Sequence, residues 1–348
     1  MSRSNKKVNN GSRPTVGALF AGMGGFCRGF QKSGINTLWA NDNNEHASCT
    51  FRANYPDVRM IEKDVCDLSV SDDKLEPVDI LTAGFPCQSF SHAGHKRGFG
   101  DERGALFFEI IRLIEEFGKN KPKILVLENV PYLANGDYGK WLKKITSEIQ
   151  LAGYWFDRNN CCTLRTDEIS DLPQGRERLF MVAASADAFY CNDFTFPEPE
   201  SSAKLRPLSK FIKRNKKSPA RDYLSPDNRY YKAIDEKIER GDAKSIYQLR
   251  RYYVREYPTK CPTLTANMGG GGHNVPFIKD RWGIRRLSVE ECAGLQGFEN
   301  FDFPAEVPTG ERYRQIGNAV SVPVAEKLAL SCLQLYNSRY FSQRRKVA

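Results

Sequence analysis

The sequence predicts an α/β fold: a doubly wound, mostly parallel sheet accompanied by a smaller, irregular second domain. Three observations carry that expectation. Short apolar runs alternate with amphipathic stretches from residue 16 to about 184, the pattern of strand–helix units that cover both faces of a parallel sheet. A glycine-rich turn, Ala21-Gly22-Met23-Gly24-Gly25, follows the first apolar run, at the edge where open α/β sheets hold their ligands. The alternation then stops near Phe196-Pro-Glu-Pro-Glu-Ser-Ser, and basic and aromatic clusters replace it until about Pro308.

Taken in order, residues 16–20 read as a strand, 22–25 as a loop and 26–33 as a helix; 38–41 and 45–54 repeat strand and helix. The run 78–83 is a short buried strand. Gly84 and Pro86 end it and turn the backbone outward, which sets Cys87 at the carboxyl end of a strand. A helix over 106–117, a strand over 123–128, a helix over 141–152 and a strand over 178–184 complete the alternation. Beyond it lie Lys213-Arg214-Asn-Lys216-Lys217, Arg250-Arg251-Tyr-Tyr-Val-Arg255 and the glycines 269–272. Residues 322–336 are again helical and pack back on the first domain. The expected division is a frayed segment 1–14, a cofactor-binding domain 15–195, a second domain 196–308 and a returning segment 309–348.

Composition narrows the function. The chain has 52 Lys and Arg against 42 Asp and Glu, a net charge of +10 that suits a polyanionic partner such as nucleic acid. No apolar run of membrane length and no export signal stand out, so a cytoplasmic protein is expected. The ten cysteines contain no C-x-x-C pair and the chain has only four histidines, so neither a zinc site nor a disulfide framework is expected. The loop that follows Cys87 mixes glycine with histidine, lysine and arginine, a composition suited to closing over an anionic substrate.

The glycine-rich turn lacks the dinucleotide spacing, because Cys27 stands where the third glycine belongs. A turn without that requirement fits S-adenosylmethionine better than a nicotinamide dinucleotide. Asp42, ending the second strand, is placed to bind ribose hydroxyls, and Asp64, after the third, to accept from an adenine amino group. Taken singly, either aspartate reads equally well as a helix cap.

Six stretches together resemble the bacterial DNA (cytosine-5) methyltransferases of restriction–modification systems. They are Leu19-Phe-Ala-Gly-Met-Gly-Gly25, Gly84-Phe-Pro-Cys-Gln88, Glu128-Asn129-Val130, Gln174-Gly-Arg176-Glu-Arg178, Arg286-Leu-Ser-Val-Glu-Glu-Cys-Ala-Gly-Leu-Gln-Gly-Phe298 and Gln315-Ile-Gly-Asn318-Ala-Val320. They stand in the family's order and span the chain except for 196–285. Two departures are Ala18, where an acid often stands, and Asp42, where glutamate is common.

The resemblance implies an S-adenosylmethionine-dependent methyltransferase fold, a target-recognition domain and a DNA cleft between them. It implies a catalytic set of Cys87, Glu128, Arg176 and Arg178. Cys87 would add as thiolate to carbon 6 of cytosine, making carbon 5 an enamine carbon able to attack a methyl donor. Glu128 would bind N3 and the exocyclic amine in a protonated form, so burial should raise its pKa. Arg178 would hold O2, with Arg176 beside the nucleophile. No residue stands out as the base for the C5 proton, which leaves bound water. The implied cofactor contacts are Phe20, Gly22, Met23, Gly24, Gly25, Asp42, Asn43, Asp64, Val65, Pro86, Leu106, Asn318 and Val320. The implied DNA contacts are Gln88, Ser91, His95 and Arg103 in the closing loop, with Arg250, Arg251, Thr263, Thr265 and Asn267 in the second domain. A base inside a duplex cannot reach both a thiolate and a methyl donor, so the target must flip out. A monomer is expected, paired in function with a restriction endonuclease but not bound stably to it. The alternatives are an RNA cytosine-5 methyltransferase, disfavoured by the long basic segment 196–285, and a DNA-binding protein with a vestigial site, disfavoured by the intact Cys87, Glu128 and Arg178.

Overall fold

The computed structural model describes residues 13–86, 106–199, 205–250, 253–270 and 273–346. Cys87, Gln88, Ser91, His95, Arg103 and Arg251 lie outside the described residues.

Eight strands form the main sheet: β1 (Thr15–Leu19), β2 (Asn36–Asp42), β3 (Arg59–Glu62), β4 (Ile80–Ala83), β5 (Ile124–Asn129), β6 (Tyr154–Trp155), β7 (Cys161–Arg165) and, beyond the two-residue β8 (Gln174–Gly175), β9 (Glu177–Ser185). Their order is β3-β2-β1-β4-β5-β9-β6, with β7 also pairing β9. β1 to β5 run parallel, and β9 runs antiparallel beside β5. That inversion brings the first residues of β9, Glu177 and Arg178, to the carboxyl ends of the parallel strands, because Asn129 pairs with Leu179.

The sheet is covered on both faces by helices, the longer of which the alternation predicted. α1 (Gly25–Lys32), α2 (Glu45–Asn54), α3 (Leu106–Glu116), the short α4 (Tyr132–Asn135), α5 (Lys140–Leu151) and the short α6 (Thr166–Ile169) follow successive strands. Side chains alternate across a strand, so Leu125 and Leu127 of β5 pack with Phe107, Ile110 and Ile114 of α3 and Ile145 and Ile149 of α5. Their neighbours Ile124 and Val126 pack on the other face with Phe26 and Phe30 of α1.

Residues 231–286, part of the expected second domain, are more regular than the sequence suggests. After α7 (Tyr231–Arg240), the strands β10 (Ile246–Leu249), β11 (Val254–Tyr257), β13 (Pro276–Asp280) and β14 (Gly283–Arg286) form an antiparallel sheet in the order β11-β10-β13-β14. Ile234, Ile238, Tyr247, Phe277 and Ile284 give it a core of its own. The pattern was hidden because polar residues occupy buried strand positions. Arg285 of β14 is 1% exposed, held by Asp280 at 2.8 Å and Glu291 at 2.8 Å. The two-residue β12 (Cys261–Pro262) pairs in parallel with β8 and stitches this part of the chain to the first.

α8 (Val289–Leu295), α9 (Thr309–Asn318) and α10 (Val322–Lys346) bring the chain back. Residues 309–338 are long and apolar enough to cross a membrane, contrary to the expectation that no stretch would be. Val324, Ala325, Leu328, Ala329 and Cys332 of α10 nevertheless lie buried against α1 and the sheet, which makes it a core helix. The nine described cysteines are free thiols, and no cluster able to hold a metal ion occurs among the described residues.

Candidate active site

In sheet order, β1 has β2 on one side and β4 on the other. Chains leaving the two strands diverge there, and a crevice opens at their carboxyl ends. A cavity of about 350 Å³ occupies it, at the lower end of the roughly 300–1,000 Å³ of small-molecule sites. The side at β2 is formed by Asp42, Asn43, Asn44 and Ala47; the side at β4, β5 and β9 by Gly84, Phe85, Pro86, Glu128, Asn129 and Arg178. Phe20, Ala21, Gly22, Gly25 and Phe26 lie between them, and Glu311, Arg314, Gln315, Asn318, Ala319 and Val320 close the wall.

The turn after β1 is built for close approach. Phe20 adopts φ +53°, a left-handed conformation that non-glycine residues hold only under constraint. Gly22 follows at φ +56° with open space around a would-be Cβ. The N–H of Gly22 donates to Asp42 Oδ2 at 2.8 Å, and that of Asn44 donates to Asp42 Oδ1 at 2.9 Å. Asp42 thus fixes the turn while facing the cavity; burial pushes its carboxyl upward and these N–H groups pull it back.

At the opposite side Glu128 and Arg178 form an ion pair, Oε1 to Nε 2.9 Å, with side chains 10% and 19% exposed. Burial raises the Glu128 carboxyl above the ordinary range, against the pull of Arg178 and then Arg176. Gly84 leaves room for the carboxylate, since a Cβ there would stand 3.3 Å from Glu128 Oε2. Asn129 donates to the Phe85 carbonyl at 3.1 Å and fixes the turn that leads through Pro86. Asn129 stands in the motif Glu128-Asn129-Val130, but the sequence does not reveal this bond.

Several expected contacts lie elsewhere. The Met23 side chain is fully buried in the apolar cluster with Leu172 and Leu264, because the tight turn points it inward. Val65 and Leu106 pack with the core beneath α3 and do not line the cavity. Gly24 is filled in by the Tyr55 ring and does not line it either. Asp64 caps a short helical turn by accepting from the Cys66 N–H at 2.9 Å and also accepts from Asn43 Nδ2 at 3.0 Å. It therefore supports a cavity residue from outside the wall, with its carboxyl lowered chiefly by the Cys66 N–H. Arg176 is interior: it donates to the carbonyls of Leu264 at 2.9 Å and Gly317 at 3.0 Å, tying β8 and β9 to the later segments. Among the expected DNA contacts, Thr263 Oγ1 donates to the Gly175 carbonyl at 2.7 Å and Thr265 Oγ1 to Asn267 Oδ1 at 2.7 Å. Arg250 is exposed, its Nη1 held by Gln248 Oε1 at 3.2 Å and Asn274 Oδ1 at 3.1 Å.

Residues 15–334 match the family described as C-5 cytosine-specific DNA methylase. The chain belongs to that family. It is a DNA (cytosine-5-)-methyltransferase with the S-adenosylmethionine-dependent methyltransferase fold. It is 39% identical over 319 residues to the type II methyltransferase M.Bsp6I of Bacillus sp. (strain RFL6), covering 90% of this chain and 96% of that one. It is 30% identical over 345 residues to the type II methyltransferase M.HpaII of Haemophilus parainfluenzae, covering 92% and 90%. Among solved structures, the S. pombe Dnmt2 methyltransferase aligns with a TM-score of 0.67 at 17% identity, covering 93% of this chain and 99% of that one. The Entamoeba histolytica methyltransferase EhMeth gives 0.70 at 16%, covering 93% and 99%. These two likenesses establish the fold.

The family implies S-adenosylmethionine, and the methylase's cavity fits it. Asp42 offers a carboxylate at one side, and Gly22 leaves space for a ligand. α1 begins at Gly25 with no side-chain cap and no acid in its first turn, which leaves its N–H groups open to a carboxylate.

Proposed function

We propose that this methyltransferase methylates carbon 5 of a cytosine rotated out of duplex DNA at a defined sequence, through a covalent adduct of Cys87 with carbon 6. The observation that carries this reading is the buried Glu128–Arg178 pair facing the same cavity as Pro86, the residue bonded to Cys87. The cofactor, when bound, supplies an electrophilic methyl group. Cys87 adds to carbon 6 as the thiolate, and its electron pair makes carbon 5 nucleophilic. Burial favours the protonated form of Glu128; in that form it gives a proton to N3 as negative charge develops on the ring and is left as the carboxylate that pairs with Arg178. Arg178 holds both the Glu128 carboxylate and the ring oxygen O2, and Arg176 positions the strand end between them. Once carbon 5 carries the methyl, water removes its proton, the electrons returning to the ring expel the Cys87 thiolate, and N3 returns its proton to Glu128.

In this reading Phe20, Gly22, Gly25, Asp42, Asn43, Pro86, Asn318 and Val320 hold the cofactor, all of them residues that line the cavity. Residues 15–195 carry the chemistry and 196–308 choose the sequence, with Arg250, Thr265 and Asn267 toward the DNA. Gln88, Ser91, His95 and Arg103, which lie outside the described residues, are assigned to the DNA contacts around the target nucleotide. The likeness to type II methyltransferases supports a modification role; in this reading the enzyme acts as a monomer, paired in function with an endonuclease that it does not bind stably.

A duplex carrying 5-fluorocytosine at the target tests the mechanism, because fluorine cannot leave carbon 5 as a proton does. With S-adenosylmethionine present, it should trap the enzyme in an adduct that survives denaturant. A wild-type enzyme that methylates the ordinary duplex yet forms no such adduct refutes the Cys87 pathway.

A further inference from the structure

α9 presents an unusual side chain to the cavity. Gln315 is 5% exposed and lines the wall, yet neither atom of its amide has a hydrogen-bond partner among the described residues. A buried amide left unsatisfied costs free energy, and native structures keep few of them. One turn earlier, Glu311 also lines the cavity; its Oε1 meets Arg314 Nη1 at 2.9 Å, while its Oε2 is buried without a partner. Two polar groups spaced i, i+4 on one helix therefore face the same space with bonding capacity left over.

Their position indicates what they face. Val320, just past the end of α9, lies against Gly25, where a Cβ would come within 2.5 Å of the Val320 carbonyl oxygen. The end of α9 thus abuts the glycine turn and the uncapped start of α1, between the Asp42 side and the Glu128 side of the cavity. Asp42 provides for a nucleoside's hydroxyls, and Glu128 with Arg178 provides for the reacting base. What is left between them suits a group that both donates and accepts and carries both charges. The zwitterionic α-amino acid end of an adenosyl amino-acid cofactor is such a group.

Resting on the cofactor site proposed above, we infer that Gln315 and Glu311 bind the amino-acid end of the cofactor, Gln315 through both atoms of its amide and Glu311 by accepting from the ammonium. The carboxylate of that end faces the open N–H groups at the start of α1. Selectivity for the intact cofactor over adenosine fragments then resides on α9, a helix from the far end of the chain.

The full-length protein, as wild type and as Gln315→Met, is titrated calorimetrically with S-adenosylhomocysteine, which keeps the amino-acid end, and with 5′-methylthioadenosine, which lacks it. Gln315→Met should weaken S-adenosylhomocysteine at least tenfold and leave 5′-methylthioadenosine within twofold of wild type. Glu311→Gln should show the same selectivity with a smaller loss. Without ligand, Gln315→Met should melt at or above the wild-type temperature, because it removes an unsatisfied buried amide. Equal losses for both ligands, no loss for either, or a lower melting temperature without ligand would overturn the inference by making Gln315 a nucleoside contact, a bystander or a structural residue. A wild type that binds neither ligand would refute the cofactor site itself, and the inference with it.

Discussion

Replacing Glu128 by glutamine separates hydrogen bonding from proton donation at the reacting base. In the folded protein the carboxylate pairs with Arg178 at 2.9 Å, and both side chains are largely buried. Deleting one member of such a pair removes about 3–5 kcal/mol, because the other charge is left uncompensated. Glutamine keeps a carbonyl for Arg178 Nε, and Arg178 keeps its bond to the Glu177 carbonyl at 2.7 Å. The loss of stability should therefore fall to about 1.5–3 kcal/mol, the worth of a charged hydrogen bond. An amide also offers a cytosine edge one donor and one acceptor, as a protonated carboxyl does, so KM for DNA should stay close to wild type. What glutamine cannot do is release a proton to N3. Removing a general acid lowers rates by about 10²–10⁴, or about 3–5 kcal/mol of barrier. Transfer of labelled methyl groups to a duplex, followed under single-turnover conditions, gives the rate; thermal melting gives the stability. A Glu128→Gln enzyme within threefold of the wild-type rate would refute proton donation by this residue.

Arg178→Met removes the largest influence holding the Glu128 pKa down, so the carboxyl keeps its proton to higher pH. Activity that needs this proton is lost as pH rises through the Glu128 pKa, and the alkaline limb of the rate profile should move upward; a limb that stays or moves down contradicts the assignment. Asp42→Ala deletes two bonds from backbone N–H groups, each worth about 1.5–3 kcal/mol. It should weaken S-adenosylhomocysteine at least tenfold by calorimetry and lower the melting temperature, with DNA affinity measured without cofactor unchanged; unaltered cofactor affinity removes Asp42 from the site. Grafting residues 196–285 from a relative of different specificity should move methylation to that relative's site, as bisulfite sequencing reads it, whereas methylation that stays put locates recognition outside this segment.

The sequence displayed the first half of the fold because burial there follows simple periods. β5 is apolar at every position up to Glu128 and sits at the centre of the sheet, and α3 and α5 carry one apolar face each. Glu128 and Arg178 were singled out by the family resemblance of the motifs that hold them, since a charged residue at either end of an apolar strand reads by itself as a cap or a solvated side chain. The second sheet was not, since Gln248 and Arg285 hold buried strand positions through side-chain hydrogen bonds that local composition cannot reveal. The interior side chains of Met23 and Arg176 were hidden for a related reason: motif membership does not say whether a side chain faces the ligand or locks the motif in place. Gln315 lies inside the motif Gln315-Ile-Gly-Asn318-Ala-Val320, yet its significance depends on having no partner among the described residues, a property that only the packed molecule possesses.

The packing of α10 on α1 bears on how the chain comes to be active as it is made. Gly29 of α1 meets Ala325 so closely that a Cβ would lie 2.5 Å from the alanine side chain, and Val16, Phe30, Val324 and Leu328 share one apolar cluster. One face of the first strand and helix therefore stays uncovered until residues 322–336 have left the ribosome. The cavity wall formed by residues 311–320 is completed only over the same interval. Synthesis runs at about 5–20 residues per second, so the early sheet waits many seconds for its cover, a window in which apolar surface is open to chaperones or to aggregation. A chain interrupted before residue 311 lacks that wall, so nascent fragments cannot complete the cavity.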